Sequence, residues 1–227
     1  MQLPQSLTGQ YTCSVNLNLY DDSDCQKLAT QAALGRYLKL VSSEPVNNAM
    51  QVCLCEDDYL AWLPIKQLIY LQPATKVYQP IIFKRTEIVQ RIPEIISFTQ
   101  TAMKVTNYYL WGGTVAPNYD CSGLMQAAFT ASGVWLPRDS YQQADFTETI
   151  DLAEILPGDL IFFAKNNRVN HVALYLEDGE YIHSSGKDMG RNGIGIDSIV
   201  EINNKVSQAY YEMFYKVGRV MSSYQPN

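Results

Sequence analysis

The sequence predicts an α+β protein in two parts, an all-β module followed by a region of helices that ends in a β-meander. In the first part, residues 1–73, apolar and polar residues alternate over short runs. In the second part, two segments have apolar residues at helical spacing, and strand-like runs separated by turns begin near residue 156. The length of 227 residues suits one large domain or two small ones.

The first part contains several short strand candidates, which lie at residues 10–19, 37–41 and 51–55. Residues 25–33 are rich in alanine and predict either a short helical turn or a loop. The part closes with Tyr59 ahead of a Trp-Leu strand, which resembles the end of bacterial SH3-like barrels. Asp58 and Ala61 stand where that pattern commonly has glycine. We therefore expect an N-terminal SH3-like β-barrel.

A polar stretch with two prolines marks the boundary between the parts. It predicts three segments, which are an SH3-like domain at 1–73, a linker at 74–84 and a second domain at 85–227. The second domain begins with Thr86 and Glu87, which can cap a helix. Pro93 requires that this helix start or kink nearby. The apolar face of the helix comprises Ile88, Ile92, Ile95, Ile96 and Met103.

A lone cysteine, Cys121, stands at the start of the next predicted helix. Apolar residues follow it at helical spacing, and Gly133 stands where a left-handed cap would end the helix. The free amide groups and the dipole of a helix start favour a thiolate, which is the form that attacks carbonyl carbon. Cys121 is therefore a candidate nucleophile. The alternative is a small buried apolar residue, a common state of free cysteine.

The chain contains two histidines, His171 and His183, on either side of a turn. An activated cysteine needs a base and a partner that orients the base. A two-residue turn would put the two rings on opposite faces of the hairpin, whereas a three-residue loop at 177–179 puts them on one face. We predict the three-residue loop, with a type I turn and Gly179 in the left-handed position. The alternative is two unrelated, half-buried strand histidines.

Composition excludes several classes of function. The net charge of −6 and pI near 4.9, without a basic stripe, argue against nucleic acid as a partner. Five cysteines without a CxxC pair indicate neither a disulfide framework nor a zinc site, so we expect no metal. Residues 1–6 lack a secretory signal and no apolar run could span a bilayer. We expect a cytoplasmic protein with no membrane partner.

Taken together, these motifs resemble the NlpC/p60 family of cysteine peptidases, which cut bacterial cell-wall peptides. The resemblance covers about residues 85–220 and rests on Tyr109, Trp111-Gly112-Gly113, Asp120-Cys121-Ser122-Gly123-Leu124, Pro157-Gly158-Asp159-Leu160, His171-Val172-Ala173 and Ile182-His183. It implies a papain-like plan in which the cysteine helix packs on an antiparallel sheet. It also implies that Cys121 is the nucleophile, His171 the base and His183 its orienting partner, with Tyr109 near the oxyanion and no cofactor.

The SH3-like module adds a resemblance to bacterial and cyanobacterial γ-D-glutamyl-L-diamino acid endopeptidases. These enzymes cut between γ-D-Glu and meso-diaminopimelate or L-Lys in peptidoglycan stem peptides that have a free N-terminal L-Ala. The resemblance implies a role in murein peptide recycling, a monomer, and substrate-binding residues Tyr59, Trp111, Asp120, Ser122, Asp139 and Ser140. It also implies an N-terminal acid, for which the candidates are Asp21, Asp22 and Asp24.

Other interpretations stay open at this point. Tyr59 also suits a barrel position, Trp111 a core position, and Asp120 a helix N-cap. A less selective wall hydrolase or amidase of the same fold, exported by another route, has the same motifs. A wall-peptide binding module without catalysis is the alternative outside enzymes, because a fold does not fix an activity. The sequence does not decide between diaminopimelate and lysine.

Overall fold

The computed structural model describes residues 9–226, so residues 1–6, read above for a signal, lie outside it. Packing divides the chain into two units. The first runs to Pro80 and also takes Trp111–Val115 and the residues from Gln225 onward. The second consists of Ile81–Leu110 and Ala116–Tyr224. The break after Pro80 falls within the segment predicted as a linker.

The first unit is an SH3-like antiparallel sheet, as predicted. The strands are β1 Gln10–Cys13, β2 Leu17–Tyr20, β3 Leu28–Ala32, β4 Tyr37–Leu40, β5 Ala49–Leu54, β6 Leu60–Pro64 and β7 Leu71–Pro73, with a 3₁₀ turn at Ile65–Tyr70. Their order in the sheet is β3-β2-β6-β5-β4-β1-β7. The core side chains include Leu19, Leu38, Leu54 and Leu63, which are fully buried because alternate residues of each strand face inward.

Two local predictions for this unit were wrong. The run at 10–19 is two strands, because the chain turns at Ser14, whose N–H donates to the Tyr70 carbonyl at 2.9 Å. Residues 25–33 contain strand β3 instead of a helical turn or a loop. Pairing with β2 places Ala32 opposite Leu17 and buries it completely, so tertiary contacts outweigh the local preference of alanine.

Trp111–Val115 packs in the first unit although it lies far along the chain. Gly112 has a φ of 77°, and a Cβ there would lie 2.8 Å from the Leu28 carbonyl oxygen. The backbone of Gly112 therefore lies close to that of Leu28, where a side chain would not fit. Thr114, in the short strand β8 Thr114–Val115, donates its Oγ1 hydrogen to the Gln31 carbonyl at 2.9 Å.

The second unit packs helices on a six-stranded antiparallel sheet, so the α+β prediction is confirmed. Its helices are α1 Arg85–Val89, α2 Ile92–Lys104, α3 Cys121–Ala131, α4 Ser140–Phe146 and α5 Lys205–Tyr211. Its strands are β9 Asn118–Tyr119, β10 Glu148–Ile150, β11 Leu160–Lys165, β12 Arg168–Tyr175, β13 Glu180–Ser185, β14 Gly193–Ser198 and β15 Phe214–Arg219. The order of strands in the sheet is β10-β15-β11-β12-β13-β14, in which β11 to β14 form the predicted meander.

The core of this unit lies between α3 and the sheet. Leu124 and Ala128 of α3 pack in one cluster with Val172 and Leu174 of β12. The helix predicted from Thr86 is two helices, α1 and α2, and Pro93 is the second residue of α2, where a proline is tolerated. Within residues 9–226 no helix is long and apolar enough to cross a bilayer, and no group of three or more His, Cys, Asp or Glu side chains is arranged to hold a metal ion.

Candidate active site

The start of α3 presents the candidate nucleophile. Asp120 is the N-cap, and its carboxylate accepts a hydrogen bond from the Gly123 N–H at 2.6 Å. Cys121 is the first residue of the helix, as predicted, and is 5% exposed. Gly133 follows the helix with a φ of 81°, which confirms the predicted left-handed cap.

The hairpin of β12 and β13 has the predicted loop length but not the predicted turn. Leu176 donates its N–H to the Glu180 carbonyl, which leaves three residues between the paired positions. Asp178 and Gly179 both have left-handed φ values, of 51° and 82°, and the Glu180 N–H donates to the Glu177 carbonyl. The turn is therefore of the primed kind, with a bulge where Leu176 and Glu177 both oppose Glu180.

This register brings the two histidines together in a chain of hydrogen bonds. The Nε2 atom of His171 lies 2.8 Å from Nδ1 of His183. The Nε2 atom of His183 lies 2.8 Å from Oδ2 of Asp197 on β14. All three residues are at most 6% exposed. The prediction that both rings share a face is confirmed, and Asp197 is a member that the sequence analysis missed.

Three donors hold the Asp197 carboxylate from its other sides. The guanidinium of Arg191 donates to Oδ2 at 2.6 Å. The hydroxyl of Ser207 and the amide of Asn204 donate to Oδ1 at 3.1 and 3.3 Å. Asn204 is also the N-cap of α5, so the first turn of this short helix abuts the carboxylate.

Tyr210, also on α5, packs against both imidazoles. Its ring centroid lies 4.4 Å from that of His171 and 4.8 Å from that of His183. Its hydroxyl forms a 2.7 Å hydrogen bond with Ser185, and the residue is 2% exposed. Tyr210 is a second contributor to the site that the sequence analysis missed.

Burial is the largest influence on the charges of His171, His183 and Asp197, the three hydrogen-bonded residues that we call the relay. It lowers the pKa of His171 well below 6.5, with a further contribution from His183. Burial also lowers the pKa of His183, against the opposing effect of Asp197. Burial alone would raise the pKa of Asp197, but the hydrogen bond and charge of His183, together with Arg191, leave that pKa below 3.8. At neutral pH the relay thus consists of two neutral imidazoles and one carboxylate.

The environment of Cys121 contradicts one electrostatic expectation. Burial raises the pKa of its thiol to about 12, and the charge of Asp120 acts in the same direction. Hydrogen bonds from the N–H groups of Val172 and Ser122 lower the pKa by less. The predicted preference of the helix start for a thiolate is therefore outweighed, and the resting group is a thiol. The contact with Val172 places the sulfur beside β12, next to His171 in the chain.

Tyr109, predicted near the oxyanion, is half-buried close to the same sulfur. Burial and then the charge of Cys121 raise the pKa of its phenol well above 10. Tyr109 therefore stays protonated and can donate a hydrogen bond.

Asp120 and Ser122 belong to a buried ion-pair network with Arg138. The Arg138 guanidinium donates to both Asp120 oxygens, at 2.6 and 3.2 Å, and to the Ser122 hydroxyl at 3.0 Å. Arg138 is 1% exposed and was missed by the sequence analysis. The alternative interpretation of Asp120 as an N-cap is thus confirmed, and the same carboxylate also forms a charged pair.

The other predicted substrate-binding residues lie in two places. Asp139 is the N-cap of α4 and Ser140 its first residue, and Gln143 of α4 donates to the Ser122 carbonyl at 3.1 Å. Tyr59 and Trp111 lie in the first unit. Tyr59 packs on the sheet core, whereas Trp111 is 59% exposed and so is not a core aromatic. Their roles in substrate binding stay predictions.

The candidate N-terminal acids follow β2. Asp21 forms an ion pair with Lys27 at 2.7 Å, and Asp22 accepts from the N–H of Asp24 at 3.0 Å. A role for any of them at the substrate stays a prediction.

Comparison with known proteins matches both units. Residues 106–217 match the NlpC/P60 family, and residues 19–68 match the bacterial dipeptidyl-peptidase SH3 domain. The γ-D-glutamyl-L-lysine dipeptidyl-peptidases of Bacillus cereus and Bacillus subtilis are each 40% identical over 79 residues, or 34% of this chain. The matched segment spans 24% and 27% of those relatives.

Two solved structures share the fold. A crystal structure of an NlpC/P60 family protein from Bacillus cereus is 22% identical, with a TM-score of 0.50, over 94% of this chain and 64% of that one. The structure of NlpC2 from Trichomonas vaginalis is 16% identical, with a TM-score of 0.53, over 93% of this chain and 98% of that one. The two family matches show a bacterial SH3 domain at residues 19–68 joined to an NlpC/P60 domain at residues 106–217.

Proposed function

We propose that the chain is a cysteine peptidase that hydrolyses the bond between γ-D-Glu and the diamino acid of peptidoglycan stem peptides. The observation that carries the proposal is the hydrogen-bonded pair of His171 and His183 in the β12–β13 hairpin, whose strand β12 lies beside Cys121. The names of the two Bacillus relatives support the bond and a lysine or related diamino acid.

In the first step the sulfur of Cys121 attacks the γ-carbonyl carbon of D-Glu while His171 takes the thiol proton. Thiol and imidazole are both neutral at rest, so proton transfer accompanies formation of the C–S bond. The oxygen of the tetrahedral intermediate accepts hydrogen bonds from the Cys121 N–H and the Tyr109 phenol. The new charge on His171 is stabilised through His183 by Asp197.

In the second step His171 donates its proton to the departing amine as the C–N bond breaks and a thioester remains. A water molecule then loses a proton to His171 and attacks the thioester. The C–S bond breaks, the sulfur regains the proton, and L-Ala-γ-D-Glu leaves as the acid. The cycle consumes one water molecule and needs no cofactor.

The free amine of L-Ala requires acceptors in the substrate site. Carboxylate and hydroxyl oxygens of Asp120, Ser122, Asp139 and Ser140 lie around the starts of α3 and α4, and we assign the amine to this set. Arg138 and the Gly123 N–H hold the Asp120 carboxylate in place. An acetylated amine loses its charge and two of its three donors, so it binds poorly.

We further assign the activity to murein peptide recycling in the cytoplasm by a monomer. Stem peptides with a free N-terminal L-Ala arise once the sugar has been removed, which fits a substrate released from the wall. Neither nucleic acid nor a membrane is needed as a partner.

The test is mass spectrometry after incubation with L-Ala-γ-D-Glu-diaminopimelate, L-Ala-γ-D-Glu-L-Lys and their N-acetylated forms. Release of L-Ala-γ-D-Glu from the free peptides alone supports the whole proposal. Equal cleavage of both forms, or cleavage of intact sacculi, would point to a less selective hydrolase. Cleavage of none of them, together with binding, would point to a wall-peptide binding module.

A further inference from the structure

We propose that Asp197 is a positioning residue that fixes the tautomers of both histidines and so makes Nδ1 of His171 the atom that takes the proton. The inference deepens the proposed function and rests on the assignment of His171 as the base. Asp197, on β14, thereby fixes the protons of His183 and His171, which Cys121, His171 and His183 cannot do by themselves.

The hydrogen-bonding capacity of each group determines where the ring protons lie. A carboxylate only accepts hydrogen bonds, so the 2.8 Å contact with Asp197 requires a proton on Nε2 of His183. A neutral imidazole carries one ring proton, which leaves Nδ1 of His183 as an acceptor. The 2.8 Å contact between the rings then requires a proton on Nε2 of His171. Nδ1 of His171 is left bare, and it is the nitrogen free to accept the thiol proton.

The Asp197 carboxylate is held firmly enough to impose these two tautomers. Arg191, Asn204 and Ser207 approach Asp197 from the sides that His183 leaves free. The pKa of Asp197 is lowered below its usual value, so the carboxylate is ionised near pH 7. Burial lowers the pKa of both histidines, so both rings are neutral at that pH. Each member therefore has one allowed protonation state, and the three states are mutually consistent.

Removing the carboxylate would switch both rings to the other tautomer. The Nε2 proton of His183 would become a buried donor without an acceptor, which is unfavourable. The other tautomer avoids this, because a proton on Nδ1 of His183 can be donated to Nε2 of His171. His171 would then carry its own proton on Nδ1 and could not accept another there. In Ser-His-Asp triads a wrong tautomer lowers kcat by about 10⁴.

The test exploits the histidine count, because ¹⁵N labelling of histidine gives signals from two rings only. In the wild-type protein at pH 7 we expect both rings with the proton on Nε2. Asp197→Ala should move the proton of both rings to Nδ1 and slow the alkylation of Cys121 by iodoacetamide at least about tenfold. Peptide mapping by mass spectrometry separates Cys121 from the partly exposed Cys25, which serves as the internal reference.

Two further variants separate positioning from loss of charge. Asp197→Asn keeps an acceptor oxygen and should restore part of the wild-type tautomer and reactivity. Asp178→Asn removes one charge from the exposed turn of the β12–β13 hairpin, where asparagine also tolerates the left-handed φ of 51°. It should leave both rings and Cys121 unchanged.

Two results would overturn the inference. One is a wild-type spectrum with the His171 proton on Nδ1, which requires no variant to fold. The other is an unchanged pair of tautomers in Asp197→Ala. Both readouts need no substrate, so correct tautomers without cleavage of any stem peptide would reject the proposed function alone.

Discussion

Two buried cysteines, Cys55 in the first unit and Cys121 in the second, differ in their surroundings more than in their acidity. They are 3% and 5% exposed, and burial raises the pKa of each thiol to about 12. Cys55 has charged neighbours on its own sheet, led by Glu56, whereas both histidines of the chain belong to the unit of Cys121. Thiol acidity therefore does not single out Cys121 as the candidate nucleophile. What distinguishes Cys121 is the candidate base, His171, on the strand beside it.

The sharpest test of this comparison replaces each cysteine in turn. Cys121→Ala should lower the rate of stem-peptide cleavage by at least about 10⁴, because the covalent route is lost. Cys55→Ala should leave kcat unchanged and lower the stability of its own unit by removing a buried sulfur. Rates from mass spectrometry and urea unfolding curves measure the two effects. A Cys121→Ala protein with most of its activity would contradict the assignment.

A smaller effect is expected from the aromatic support of the histidines. Tyr210→Leu removes the ring that packs on both imidazoles and the hydrogen bond to Ser185. We expect a loss of about 2 kcal/mol in the free energy of unfolding and a lower kcat with little change in KM. Tyr211, the next residue, is 51% exposed, and Tyr211→Leu should change stability by less than about 0.5 kcal/mol. Similar effects of the two substitutions would refute the proposed support.

The third expected effect is a pH dependence of stability, which the two histidine rings should cause in their own unit alone. The groups that face the two rings, besides one another, are Asp197, Arg191, Tyr181 and Tyr210. Both histidine pKa values are lowered below 6.5, so the unfolded chain binds protons first on acidification. The stability is therefore complete above about pH 6.5 and falls by up to about 1.4 kcal/mol per pH unit for each histidine below it.

Urea unfolding at pH 7, 6 and 5, followed by the two histidine ring signals, measures this slope. Titration of the same signals in the folded protein gives the pKa values directly. Ring pKa values at or above 6.5, or a stability that rises on acidification, would contradict the prediction.

The sequence was sufficient to predict an element where the preferences of single residues agreed with the spacing pattern of the whole segment. The helix at Cys121 follows from its cap, its apolar spacing and Gly133, and the shared face of the histidines follows from counting residues around one turn. Alanine-rich residues 25–33 show the opposite case. Their strand depends on pairing with β2, a contact that no local preference encodes.

Two of the missed members of the site, Asp197 and Arg138, share one property. Each reaches its partner through a connection whose geometry the sequence leaves undefined. Asp197 follows a 3₁₀ turn at Lys187–Met189 that sets the register of β14, and Arg138 lies in the loop between α3 and α4. A buried charge in an otherwise apolar strand was the available signal for Asp197, because such a charge needs partners.

The length of the bulged turn at 177–180 determines on which face of the sheet His183 lies. Adding or deleting one residue there would shift β13 by one position and turn His183 to the opposite face of the sheet. Two inserted residues would preserve its face. Natural variants of this exposed loop should therefore differ in length by an even number of residues. A peptide grafted onto the loop by design should likewise contain an even number of residues.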